Sequence, residues 1–194
     1  MNDPALKQRK TLPIRWSPST HFKIPIPRDE KQRLAALKRY DILDTPPEDS
    51  FDSIVRLASH VCATPVAMMV LIDHGRQWFK ARVGIHLQET RREFAFCAHT
   101  IMQRSLIIIP DLRRDQRFAA NPFVAAAPHY CFYAAAPLIT PDNRALGTIC
   151  VIDKARRTLT ARQKMDLLAL SRLAMTELEL RRNLSEERRM KKGT

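Results

Sequence analysis

Glycine is scarce in this chain. Only four occur among 194 residues (Gly75, Gly84, Gly147 and Gly193), and no two are close enough to share a loop. Neither a P-loop nor a dinucleotide-binding fingerprint can be built from them, which removes the commonest phosphate-cradling enzymes. Long apolar runs are also missing. The longest, VCATPVAMMVLI, is interrupted by Pro65 and falls well short of a bilayer span. The N-terminus, MNDPALKQRK, has no apolar segment behind its charges and so does not read as an export signal. A cytoplasmic protein with no membrane span is expected. The four cysteines, Cys62, Cys97, Cys131 and Cys150, include no C-x-x-C pair, so reduced and buried thiols are expected rather than disulfides.

Acidic residues are outnumbered, 20 against 33 basic, for a net charge of +13. The excess is spread along the chain: +5 over residues 1–28, +4 over 29–160 and +4 over 161–194. A nucleic-acid binder would show one dense basic stripe with interleaved aromatics. Here the two ends carry most of the charge, so a solvated surface is the simpler reading and no specific nucleic-acid partner is expected. A basic interaction protein, binding nucleic acid or membrane through its tails, is kept as an alternative.

The apolar content of 45% suits one core with tails. Residues 1–28 hold five prolines and no helical or strand period, and read as a flexible basic leader with Trp16 and Phe22 available for loose docking. DEKQRLAALKRYDIL predicts a short amphipathic helix. Thr45-Pro46-Pro47-Glu48 predicts a capping box opening the next, with Phe51, Ile54, Val55, Ala58, Val61 and Cys62 on its buried face and Pro65 ending it. PVAMMVLID is apolar on both faces, as a central strand would be, whereas QWFKARVG alternates and reads as an edge strand with one wetter face. FCAHTIMQR reads as a short helix, SLIIIP as a strand, and Asp111 to His129 as a partly helical excursion. YCFYAAAPLIT and ALGTICVID then read as two strands joined at PDNR. Thr160-x-x-Gln163 predicts a second capping box, opening a helix that runs to about Arg189. On it Leu170, Leu173, Leu180 and Leu184 fall at heptad core positions, with Glu177 interrupting the seam. The order of elements predicts an α/β (α+β) sandwich: a mainly antiparallel sheet, terminal helices on one face, and a short helix plus loop on the other.

Cys97 and His99, two apart in FCAHTIM, suggest catalysis at first sight. On a helix such residues point roughly 200° apart, and a nucleophilic thiol needs a base or another means of lowering its pKa. A buried thiol and a packing histidine are the plainer reading. His60/Cys62 and His129/Cys131 repeat the spacing, which is too short for the usual paired zinc ligands. No metal is expected.

Five blocks, RLAALKRYDILDTPPEDSFD, LIDHGRQWFKARVG, FCAHTI, PDLRRDQRFAANPFV and FYAAAPLITPDNRALGTICVID, resemble the GAF domain over about residues 29–182. GAF domains are sensory modules of bacterial signalling proteins and phytochromes, and this subgroup often precedes histidine kinase or diguanylate cyclase domains. The resemblance implies a sensory domain over 29–160, a signalling and dimerisation helix with a basic tail over 161–194, a homodimer, and a small-molecule pocket. Residues expected to bind that ligand are Phe96, Cys97, His99, Asp111, Asp115, Arg117, Phe118, Asn121, Tyr133, Thr148 and Cys150. Asp115 and Arg117 would orient a polar ligand with Phe118 covering it, or else form only an internal ion pair. No covalent bilin is expected, because the cysteine and histidine of FCAHTI are separated by Ala98. Only NLSEERRMKKGT follows Arg182, so the expectation is either an output partner such as a histidine kinase or diguanylate cyclase on a separate chain, or a reduced sensor. The function implied is non-enzymatic ligand sensing in signal transduction. A thiol-dependent small-molecule reductase of the same fold is a further alternative.

Overall fold

The computed structural model describes residues 24–192, so the leader's Trp16 and Phe22 lie outside the described residues. Six strands form one sheet: β1 (Val66–Ile72), β2 (Arg76–Val83), β3 (Glu89–Arg91), β4 (Ile107–Ile109), β5 (Phe132–Ile139) and β6 (Ala145–Asp153). Their order is β3-β2-β1-β6-β5-β4, and every pairing is antiparallel. The sheet is open, and both outer strands are only three residues long, which leaves little edge for another chain to extend.

One face is covered by three helices, α1 (Glu30–Arg39), α2 (Asp49–Cys62) and α5 (Ala161–Lys192). Phe51, Val55 and Ala58 of α2 and Leu167, Ala174 and Leu178 of α5 pack there against Ala67, Met69 and Leu71 of β1 and Ile149 and Val151 of β6. The opposite face carries α3 (Phe96–Thr100), α4 (Pro122–Ala125) and connecting loops over Met68, Val70, Cys150 and Ile152. The alternation of β1 and β6 thus divides their side chains between two cores, as the unbroken apolar runs require.

Gly147 shows how tightly β6 meets β1. A Cβ built there would lie 1.8 Å from the carbonyl oxygen of Val70, so no larger residue fits without moving a strand. Gln163 N–H donates to Thr160 Oγ1 at 3.2 Å and Thr160 N–H to Gln163 Oε1 at 3.0 Å, forming the expected capping box of α5.

Two expectations fail for the same reason. Thr45 and Glu48 do not cap α2, whose N-cap position is Glu48 itself with no side-chain bond. Nor is β2 an edge strand, since β3 lies outside it and Lys80 on it is buried. Lys80 Nζ donates to Thr45 Oγ1 (2.9 Å), Pro46 O (2.7 Å) and Glu48 Oε1 (2.5 Å), so the supposed cap residues instead receive a buried ammonium. Burial lowers the Lys80 pKa, and Glu48 opposes that shift.

A second buried cation anchors α1. Arg33 donates to Ile72 O at 2.6 Å and, through Nε, to Glu30 Oε2 at 2.8 Å, while Arg92 reaches Glu30 Oε1 at 2.5 Å. Burial raises the Glu30 carboxyl, but the two guanidiniums outweigh it and hold the group down at about 2. No described helix is long and apolar enough to cross a membrane.

Candidate functional site

The face opposite the long helices holds a small cavity. Its floor is Met68 of β1, Gln77 and Phe79 of β2 and Ile152 of β6, and its walls are Phe94, Phe96, Cys97, Phe123 and Tyr130, with Ile85 and Thr90 at one side. No charged side chain lines it. The free space is about 20 Å³, room for a single water. Bulky side chains narrow it: Phe79, Phe94 and Phe96 are buried, and Phe123 stands 6.5 Å from Tyr130, ring centre to ring centre.

Its polar end is formed across two strands. Gln77 and Thr90 are register partners on β2 and β3, and Gln77 Nε2 donates to Thr90 Oγ1 at 2.8 Å. Gln77 Oε1 is buried and has no hydrogen-bond partner. An unpaired buried acceptor costs free energy, on the order of 1–3 kcal/mol, so this atom favours any occupant carrying an N–H or O–H.

The expected site residues fall into three groups. Cys97, Tyr133, Thr148 and Cys150 come together beneath α3. Thr148 and Tyr133 hydroxyls donate to Cys97 Sγ at 3.2 and 3.4 Å, and Cys150 Sγ lies 3.9 Å from it. A further hydrogen bond of 2.7 Å links Tyr133 to Thr100. Burial raises the Cys97 thiol, but its bonds with Cys150, Thr148 and Tyr133 lower it more and leave it below the ordinary value, while Cys150, bonded to Cys97 and buried, is pushed up.

The second group lies towards the surface. His99 meets Phe118 edge-on at 4.7 Å, and Phe118 in turn meets Phe96 at 5.4 Å. Desolvation, aided by the nearby Arg117, lowers His99 to about 4, so it is neutral at pH 7. Arg117 donates to Asp115 Oδ1 at 2.9 Å and Oδ2 at 2.6 Å and stacks over Phe118. The third group supports the loop. Asp111 binds Arg113 through both carboxylate oxygens and accepts the Cys131 thiol. Asn121 caps α4 at Phe123 N–H and donates to Phe94 O at 3.0 Å. Of the residues singled out from sequence, only Phe96 and Cys97 border the cavity. Gln77 and Thr90 had one signal available: an amide at i of a strand whose i+2 residue, Phe79, points into the same core. Among the described residues no group of three or more His, Cys, Asp or Glu side chains is placed to hold a metal ion.

An antiparallel sheet with long helices on one face and a small, mainly apolar pocket on the other suits a small-molecule-binding regulatory fold, and comparison with known proteins agrees. The GAF domain family model matches residues 46–178, and the chain belongs to that family. It is 34% identical over 160 residues to a cyclic di-GMP phosphodiesterase of Pseudomonas aeruginosa, covering 82% of this chain but 27% of the relative, so the chain spans about a quarter of that protein's length. Among solved structures, the GAF domain of a phosphoenolpyruvate-protein phosphotransferase from Coxiella burnetii superposes with a TM-score of 0.61 at 12% identity, over 80% of this chain and 96% of that one. A free methionine-R-sulfoxide reductase from Neisseria meningitidis gives 0.58 at 10% identity, over 84% and 99%. At these identities the two structures report the shared fold.

Proposed function

We propose that this chain is a sensory GAF module for a small, neutral, mainly apolar molecule with a hydrogen-bond donor at one end. The observation that carries the reading is the buried, unpaired Oε1 of Gln77, a residue lining a cavity that has no charged side chain. A phosphate-bearing ligand would lose its hydration there and gain no cation. The water-sized free space means that binding must displace Phe123, Tyr130 or α3 outward. An amino-acid sulfoxide carries an ammonium and a carboxylate that this uncharged lining does not pair, which favours sensing over reduction by Cys97. Likeness to a cyclic di-GMP phosphodiesterase supports a regulatory place in cyclic-dinucleotide signalling, with the output partner as the component that responds.

Output would pass through the sheet to α5. Ile152 lines the cavity and its neighbour Val151 packs in the helical core, so a shift of β6 is felt on both faces. Leu173, Leu180 and Leu184 form an exposed stripe along α5 at spacings of seven and four, the pattern of a helix pairing with its copy. Leu170, at the same seam, is buried in the domain core instead.

Thermal shift across a panel of neutral aromatic amides, alcohols and charged nucleotides tests the ligand reading. Neutral donors raise Tm in the native protein, and Gln77→Leu removes the advantage of donor-bearing compounds over their methylated analogues. Stabilisation by cyclic nucleotides alone would overturn it. In parallel, light scattering should report a dimer for the native chain and a monomer for Leu180→Glu.

A further inference from the structure

A pair of buried thiols meets under α3. Cys97 comes from the pocket helix and Cys150 from the middle of the sheet, 53 residues apart, with their sulfurs 3.9 Å from one another and both side chains buried. Two hydroxyl donors, Thr148 and Tyr133, converge on Cys97 Sγ and none of the three is charged. Cys97 also borders the cavity. A space of about 20 Å³ favours a small oxidant such as hydrogen peroxide over a bulky electrophile at Cys97.

We propose that Cys97 and Cys150 form a peroxide-oxidisable dithiol, with Cys97 as the attacking sulfur and Cys150 as the resolving one. The Cys97 sulfur attacks one oxygen of hydrogen peroxide and the O–O bond breaks. The departing hydroxide takes up the proton released by the Cys97 thiol and leaves as water, and Cys97 is now a sulfenic acid. Cys150 sulfur then attacks Cys97 sulfur, the S–O bond breaks, and the hydroxide released takes the Cys150 proton to give a second water. Two thiols have lost two electrons and peroxide has gained them. Thr148 and Tyr133 stabilise negative charge on Cys97 sulfur as its proton departs. Closure needs the sulfurs to move from 3.9 Å to about 2 Å. The bond ties α3 to β6 and draws Cys97 sulfur away from the cavity wall.

The other two thiols serve as controls on the same chain. Burial pushes Cys62 up to about 11, and burial together with Asp111 raises Cys131, so neither is primed to attack. Met165, 62% exposed on α5, gauges the peroxide dose by its sulfoxide. The native chain is treated with increasing hydrogen peroxide, alkylated in denaturant, digested and examined by mass spectrometry. The expected product is a linked Cys97–Cys150 peptide, two hydrogens lighter than its reduced parts, that accumulates before Met165 sulfoxide. In Cys150→Ser, dimedone should label Cys97; in Cys97→Ser it should leave Cys150 unlabelled. Oxidation of Met165 or Cys62 ahead of any linked peptide overturns the proposal, as does labelling of Cys150 in place of Cys97. The native-chain experiment stands even where a variant folds poorly.

Discussion

The two faces of the sheet are built on opposite plans. The α1/α2/α5 side is closed by elements of 10, 14 and 32 residues whose apolar faces interlock with β1 and β6. The pocket side is covered by helices of five and four residues, α3 tied to the sheet by the short bonds of Cys97 and Thr100 and α4 by Asn121 to Phe94 O. Helices so short do not hold themselves together; packing holds them, and packing is what a ligand alters. On the proposed ligand reading, the helical side would serve as the fixed body and the pocket side as the part that rearranges.

Large-to-small changes give the sharpest contrast. Phe51→Ala, on the helical side, should cost about 4 kcal/mol in denaturant unfolding. Phe123→Ala, on α4, should cost about 1–2 kcal/mol less than that, because a lightly anchored element collapses more readily into the vacated space. Equal losses would erase the distinction. Next comes Glu48→Ala, which leaves Lys80 with only neutral acceptors and should cost on the order of 2–3 kcal/mol.

The smallest effect depends on pH. His99 is neutral in the folded state with its pKa lowered to about 4, against 6.5 when free. A depressed histidine stabilises the fold fully above pH 6.5, and that contribution is lost as pH falls from 6.5 towards 4. His99→Phe should flatten the dependence of Tm on pH within that window. Further loss between about 4.5 and 2 belongs to Glu30, on the helical side, and should survive the substitution.

Much of the scaffold was legible because it follows from local period. The spacing of Phe51, Ile54, Val55 and Ala58 marked α2, and the uninterrupted Val66–Ile72 run marked a strand covered on both faces. Thr45 and Glu48 misled because their partner, Lys80, lies more than 30 residues away on another element. The sheet position of β2 was missed for the same reason, since three residues of β3 carry little pattern of their own. The pocket was less legible still. Gln77 and Thr90 meet only through strand register, and Cys97 meets Cys150 only because α3 lies across β6.

The length of α5 has a mechanical consequence. Leu178 is its last side chain in the helical core, and 14 more residues follow to Lys192, about 21 Å of helix at 1.5 Å per residue. That overhang is held by charge rather than by apolar contact: Arg181 bonds Glu48 at 3.0 Å and Arg189 bonds Asp41 at 2.6 Å. A tilt of about 5° at Leu178 carries the far end through roughly 2 Å, and the clasp restraining it weakens as ionic strength rises. On the proposed sensory reading the helix would work as a lever with a salt-sensitive latch, converting a small displacement within the sheet into a larger one at its far end.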